Sequence, residues 1–158
     1  MKVLTGHLYH IKDEFFDRIK NGGLMINHEN GHSRPAYLAI KDKDILWFIP
    51  LSSKIKKYKK IIDEKVVKYG TCKTILIKKI ADQEQVILIQ NAFPTLEKYI
   101  DHVHTVNGAP ARVGTLLKQE ILDNFEYLMK LHNRGIKVFF TDIDKLKEKL
   151  IKELNWTI

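Results

Sequence analysis

The segment "AYLAIKDKDILWFIPL", residues 36–51, constrains the fold more than any other part of the chain. Two apolar runs flank a short polar turn. That spacing joins neighbouring antiparallel strands and leaves no room for a crossover helix. It predicts a strand over Ala36–Lys41, a turn over Lys41–Asp44 and a strand over Ile45–Pro50. "KTILIKKIADQEQVILIQ" repeats the pattern as a second hairpin, with its turn at "ADQEQ". "KVLTGHLY" predicts a first strand over Lys2–Tyr9.

The remaining patterns are mostly helical. "IKDEFFDRIK" places Ile11, Phe15, Phe16 and Ile19 on one face, and "NGG" stops it. In "SSKIKKYKKIIDEK", Ile55, Tyr58 and Ile62 have helical spacing, with Ser52 or Ser53 as N-cap. In "ARVGTLLKQEILDNFEYLMKLHNRG" a stripe runs from Leu116 and Leu117 through Ile121, Leu122, Phe125, Leu128 and Met129 to His132, and Gly135 closes it. Thr141 is the expected cap of a last helix, "DIDKLKEKLIKEL". "MINHENGHSRP" reads as a loop, and "FPTLEKYIDHVHTV" fits a helix or a strand. Strands and helices mix without regular βαβ alternation. The expected class is α+β: one domain over residues 1–158, an antiparallel sheet wrapped by helices.

Composition narrows the partners. The 158 residues are 44% hydrophobic and 29% charged, which suits a folded core. No apolar run approaches the roughly 20 residues that span a bilayer. The N-terminus shows no apolar segment followed by a small-residue cleavage site, so a cytoplasmic protein without a signal peptide is expected. Cys72 is the one cysteine, which excludes an intrachain disulfide and a cysteine zinc site. The net charge of +8 is concentrated. Between Pro50 and Ile80 ten lysines face Asp63 and Glu64, a surplus of eight. Such a local field concentrates polyanions, and nucleic acid is the expected partner. An anionic membrane comes second, because the basic segment lacks the bulky apolar face of an interfacial helix.

Four signals carry possible chemistry. Ser52 and Ser53 suit a helix cap, and the same helix end suits a phosphate, with Lys54 and Lys56 nearby. The run "KIKKYKK", with Lys56, Lys57, Lys59 and Lys60, has no interleaved glutamate to support a merely solvated helix. Among seven histidines there is no helical zinc pair; His102 and His104 would share a strand face as a nonspecific metal pair. His10, at the end of the first strand, is the best placed to act as an acid or base. Arg34, in "HSRP", could clamp a phosphate bidentately or be an ordinary loop arginine. No P-loop, dinucleotide glycine pattern, nucleophile elbow or paired acidic metal motif is present.

"WFIPLSSK", the upstream "SRPAYLAI" and the later "LLKQ" together resemble the type III toxin–antitoxin endoribonucleases, the ToxN/AbiQ group, and within it the CptN branch. The resemblance covers nearly the whole chain, and Pro-Leu-Ser-Ser is its most specific part. It implies a ToxN-like fold, distantly like the MazF/Kid toxins, and RNA cleavage without a metal or other cofactor. It implies a repetitive, pseudoknotted antitoxin RNA that the toxin processes and that inhibits it, in a cyclic assembly of three toxins and three RNAs. Cellular or phage RNA would be the substrate. By the same resemblance Ser53 is central to activity and Ser52 precedes it. Arg34 lies beside the family's cationic position, and Lys54 or Lys56 matches its lysine. His10 stands where some relatives carry tyrosine, and Lys118 and Gln119 match a pair facing RNA.

The expected reaction is attack of the RNA 2′-OH on its own 3′-phosphate, leaving a 2′,3′-cyclic phosphate and a 5′-OH. Ser53 would position, Arg34 and a lysine would stabilise charge, and His10 would move a proton. Covalent serine catalysis is disfavoured, since an unassisted hydroxyl is a poor nucleophile. The alternative is a non-catalytic basic RNA-binding module, in which the serines only cap a helix. A metal enzyme built on His102 and His104 is a more distant third.

Overall fold

The structure, a computed structural model, describes residues 2–19 and 22–156. In chain order its elements are β1 (Leu8–Ile11), α1 (Asp13–Arg18), β2 (His28–Glu29), β3 (His32–Ser33), β4 (Pro35–Asp42), β5 (Ile45–Ser52), α2 (Ile55–Tyr69), β6 (Leu76–Ile80), β7 (Gln83–Ile87), β8 (Phe93–Thr95), β9 (Ile100–Val103), β10 (Thr105–Val106), β11 (Ala109–Pro110), α3 (Thr115–Asn133) and α4 (Ile143–Trp156).

β5 is the centre of the sheet, and all eight of its residues are buried. One edge pairs with β4 along its length, from Asp42↔Ile45 to Ala36↔Pro50. The other edge is shared: Leu46–Phe48 pair with β8, and Leu51 and Ser52 pair with β7. The main path runs β6-β7-β5-β4-β1-β9, and every pairing is antiparallel. This is the α+β architecture that the two short-turn hairpins require. Burying each large apolar side chain of "ILWFI" is worth roughly 1.5–3 kcal/mol, so this hairpin is the sheet's anchor.

Helices cover the sheet. Phe15 of α1, Ile121, Phe125 and Leu128 of α3, and Ile143, Leu146 and Leu150 of α4 join the main core. α2 packs separately, through Tyr58, over Ile75, Val86 and Leu88. Its remaining surface carries the lysines. No helix among the described residues is long and apolar enough to cross a membrane.

Several elements differ from expectation for physical reasons. β1 begins at Leu8, not Lys2; Gly6 and His7 instead exchange backbone bonds with Leu38. Ile11 belongs to β1, leaving α1 only six residues. The β6–β7 turn is tighter than "ADQEQ": Ala81 and Asp82 alone make it, with φ of 50° and 65°. The ambiguous segment resolves into β8, a 3-10 turn over Glu97–Tyr99 and β9. Leu116 lies outside the buried stripe of α3, at 89% exposure. At the start of α4 the Lys145 amide donates to Asp142, while the Thr141 hydroxyl donates to the Asn91 carbonyl, so Asp142 acts as the cap.

The largest difference is at residues 28–33, read as loop. Here β2 and β3 form a miniature hairpin, with His28 opposite Ser33 and Glu29 opposite His32. Asn30 and Gly31 turn it, with φ of 55° and 85°. Both residues must be left-handed for this type of two-residue turn, which asparagine and glycine tolerate.

Candidate active site

Four strand ends surround one cleft of about 530 Å³. β1 brings His10, the β2–β3 hairpin brings Glu29 and Ser33, the end of β5 brings Ser52 and Ser53, and β9 and the residue beyond it bring His102 and His104. The register explains the convergence. His10 sits opposite Pro35 on one side and His102 on the other, and the β1–β9 register shifts just after it. Such irregularities re-aim side chains beside functional sites. The groove between α2 and the β6–β7 hairpin is similar in volume, about 580 Å³, but Ile55, Ile62, Val66 and Ile75 dominate its wall.

Glu29 organises one end of the cleft. Its Oε1 accepts from the Ser53 hydroxyl at 2.6 Å and from the Ser53 amide at 2.8 Å. Its Oε2 accepts from the Ser52 hydroxyl at 2.9 Å and from Arg34 Nη1 at 2.8 Å. Burial alone would raise the Glu29 carboxyl. The Ser53 hydroxyl and amide, the Ser52 hydroxyl and the Arg34 charge outweigh it and hold the carboxyl down at about 2. Glu29 is therefore a carboxylate under all ordinary conditions.

This arrangement answers the capping question. Lys54, not a serine, occupies the N-cap position of α2, which has no side-chain cap and no acid in its first turn. Ser52 is the last residue of β5; its oxygen also accepts from the Lys54 amide at 3.2 Å. Ser53 is exposed, and Asn30 Nδ2 donates to its oxygen at 3.2 Å. Arg34 is buried and committed: besides Glu29 it donates to the carbonyls of Leu51 and Ile26. Among the described residues its Nη2 takes no hydrogen bond.

Histidines occupy the other end. His10 Nδ1 lies 2.7 Å from the Ser33 hydroxyl, and its Nε2 lies 2.8 Å from His104 Nδ1. The His102 ring stacks on His10 at 4.5 Å, and its Nδ1 meets Asp101 at 3.1 Å. Burial, then His104 and His102, pull the His10 imidazole down to about 4, against smaller opposing pulls from Asp101 and Ser33. His104 is lowered too, by burial and then by His102. Both rings are neutral at pH 7. Among the described residues no three histidine, cysteine or acidic side chains are disposed to hold a metal ion.

No family model matches the chain, and no curated protein matches its sequence. Solved structures do match its fold. AbiQ, a lactococcal anti-phage endoribonuclease of the type III toxin–antitoxin system, superposes with a TM-score of 0.71 at 14% identity, over 96% of this chain and 99% of AbiQ. The chain has the AbiQ fold. A second match, from a bacterial antiviral system regulated by a processed non-coding RNA, gives 0.64 at 12% identity over 91% and 96%. A third, from work on type III toxins inhibited by a non-coding RNA pseudoknot, gives 0.54 at 19% identity over 95% and 98%.

Within this AbiQ-like fold, His10, Arg34, Ser52 and Ser53 line the same cleft. Lys54 is exposed directly after Ser53 but does not line it. Lys56, Lys57, Lys59 and Lys60 are exposed on α2. Lys118 and Gln119 stand on α3 and line no part of the cleft; Gln119 bonds Asp123, and the Lys118 stem lies against Gly6. Sequence reasoning missed Glu29, although "NG" at 30–31 was a hairpin signal that would have carried Glu29 to the sheet. It set His102 and His104 aside as a weak metal pair, where the structure gathers them on His10.

Proposed function

We propose that this protein is an endoribonuclease toxin of the type III toxin–antitoxin kind. The RNA 2′-OH attacks its own 3′-phosphate, leaving 2′,3′-cyclic phosphate and 5′-OH ends. The observation that carries the reading is the convergence of Ser53, Arg34 and His10 in one cleft of an AbiQ-like fold. The reaction needs orientation, proton transfer and charge stabilisation, and no metal step is required of it.

The Ser53 hydroxyl donates to Glu29 and accepts from Asn30, so its oxygen keeps one lone pair for a donor in the cleft. A ribose 2′-OH is such a donor. Arg34 Nη2 and Lys54 or Lys56 stabilise the charge that builds on the phosphate. The neutral His10 system takes part in proton transfer. Lys57, Lys59 and Lys60 extend a cationic track along α2 for the RNA backbone, and Lys118 and Gln119 supply further contacts. That one protein of this fold is inhibited by a non-coding RNA pseudoknot supports an RNA antitoxin here too. The assembly proposed for toxin and RNA is a closed ring of three of each.

The test is incubation with end-labelled RNA, in EDTA and with a 2′-deoxy analogue. Cyclic phosphate ends, undiminished by EDTA and absent with the analogue, are expected. Cleavage of the analogue, or loss of activity in EDTA, would sink the mechanism. Binding without cleavage would support the RNA-binding module instead. For the basic track, each lysine-to-alanine change on α2 should lower the slope of log affinity against log salt by about 0.7 per lost phosphate contact on a single strand.

A further inference from the structure

His10 was the histidine best placed by sequence, yet both of its ring nitrogens are engaged inside the protein: Nδ1 with Ser33 and Nε2 with His104. It is 8% exposed. A ring used at both nitrogens is poorly placed to exchange a proton with substrate. His104 is half-buried, lines the same cleft and uses only Nδ1; among the described residues its Nε2 has no partner.

We infer that His104 Nε2 is the atom that exchanges a proton with RNA, and that His10 is the positioning residue that fixes its tautomer. The inference rests on the ribonuclease reading above. Only one proton fits between His10 Nε2 and His104 Nδ1 when both rings are neutral. If His104 Nδ1–H donates to His10 Nε2, then His10 Nδ1–H donates to the Ser33 oxygen. His104 Nε2 is then bare and basic. This is the general arrangement of a base oriented by a second group through its other nitrogen. Ser33 and the stacked His102 hold the His10 ring in place, and Asp101 in turn holds His102.

In the step itself, His104 Nε2 takes the 2′-hydroxyl proton as the 2′-O–P bond forms and the P–O5′ bond breaks. The departing 5′-oxygen keeps the electron pair and takes a proton from water. The His104 imidazolium, still donating through Nδ1 to His10, returns its proton to solvent. Protons therefore balance over the cycle. Depression of both imidazoles keeps the accepting form populated at neutral pH.

Two measurements test this independently. In single-turnover cleavage, His104→Ala should lose at least about 100-fold, the usual reach of a general base. Affinity for an uncleavable 2′-deoxy RNA should change less than about threefold, and added imidazole should restore part of the rate. His104→Gln, which keeps a polar side chain of similar size, should show the same loss. His10→Gln, whose carbonyl can still accept the Nδ1 proton, should recover at least about tenfold of what His10→Ala loses. A His104→Ala rate within about threefold of the parent, or a larger loss in His102→Ala, would overturn the assignment. The second measurement is a long-range proton–nitrogen NMR spectrum of the parent protein at pH 7. It should show His104 protonated at Nδ1 and bare at Nε2; the opposite tautomer overturns the proposal. If the parent leaves no cyclic ends on RNA, the ribonuclease reading fails, and the spectrum alone then decides how the pair is arranged.

Discussion

At the Glu29 end of the cleft a buried ion pair ties the polar groups together; at the histidine end His10 is engaged at both ring nitrogens, while His104 keeps its Nε2 without a partner among the described residues. Glu29 accepts four hydrogen bonds, and both it and Arg34 are largely buried. Such a carboxylate is too poor a base to move protons near pH 7, so its role is geometric: it fixes Ser53 and seats Arg34. The histidine end has the opposite character. Burial disfavours the charged form of His10 and His104, and His104 retains a nitrogen for exchange. In the proposed reaction Glu29 holds, and the histidine pair moves the proton.

The largest break of this contrast is removal of the holding group. Glu29→Ala leaves the Arg34 charge buried without its partner, at about 3–5 kcal/mol of stability, measured by urea unfolding. Cleavage should fall with it. A loss under about 1 kcal/mol would mean that Glu29 is not the keystone.

Acid should undo the two ends in succession. His10 falls from 6.5 to about 4 on folding, so the unfolded chain binds the extra proton first; stability is complete above pH 6.5 and declines toward pH 4. Glu29 falls from 4.5 to about 2, so its contribution is complete above pH 4.5 and lost toward pH 2. Each step is on the order of 3 kcal/mol at most. In unfolding curves against pH, His10→Ala should flatten the upper window and Glu29→Gln the lower one. Loss of both windows in one variant would show that the ends are not independent.

Ser53→Ala tests whether the holding end matters to the reaction. Stability should change by no more than about 1 kcal/mol, since Ser53 is exposed and Glu29 keeps its other donors. Cleavage should fall at least about 100-fold; a variant within about tenfold of the parent would remove Ser53 from the centre of the mechanism. The smallest effect is expected at Asn30→Ala. It loses a 3.2 Å bond to Ser53 and strains a residue at φ 55°, for about 1 kcal/mol by thermal unfolding.

Much of the sheet was legible because its signals are local. The β4–β5 hairpin announced itself through apolar runs and a short turn, and both observed strands lie within about two residues of those expected. Ser52, Ser53 and Arg34 were singled out by local motif, and the structure brings them to one cleft. Glu29 was invisible to hydrophobic patterning because "HE" and "HS" carry no apolar alternation; only the Asn-Gly turn marked that hairpin. The reading of the serines as caps failed for a tertiary reason, since a carboxylate 24 residues upstream in the chain takes the Ser53 hydroxyl. His104 could not be paired with His10 from sequence, because the β1–β9 pairing that brings them together spans most of the sheet's length in the chain.

The bond between His10 and His104 closes a loop of 94 residues. Closing a contact of such separation costs loop entropy and slows folding. A fragment that spans residues 29 to 53 but stops before residue 104 holds Glu29 and Ser53 and has no histidine pair. On the ribonuclease reading proposed above, a fragment without residue 104 lacks the inferred proton acceptor and should not cleave RNA, however well its Glu29 end is formed.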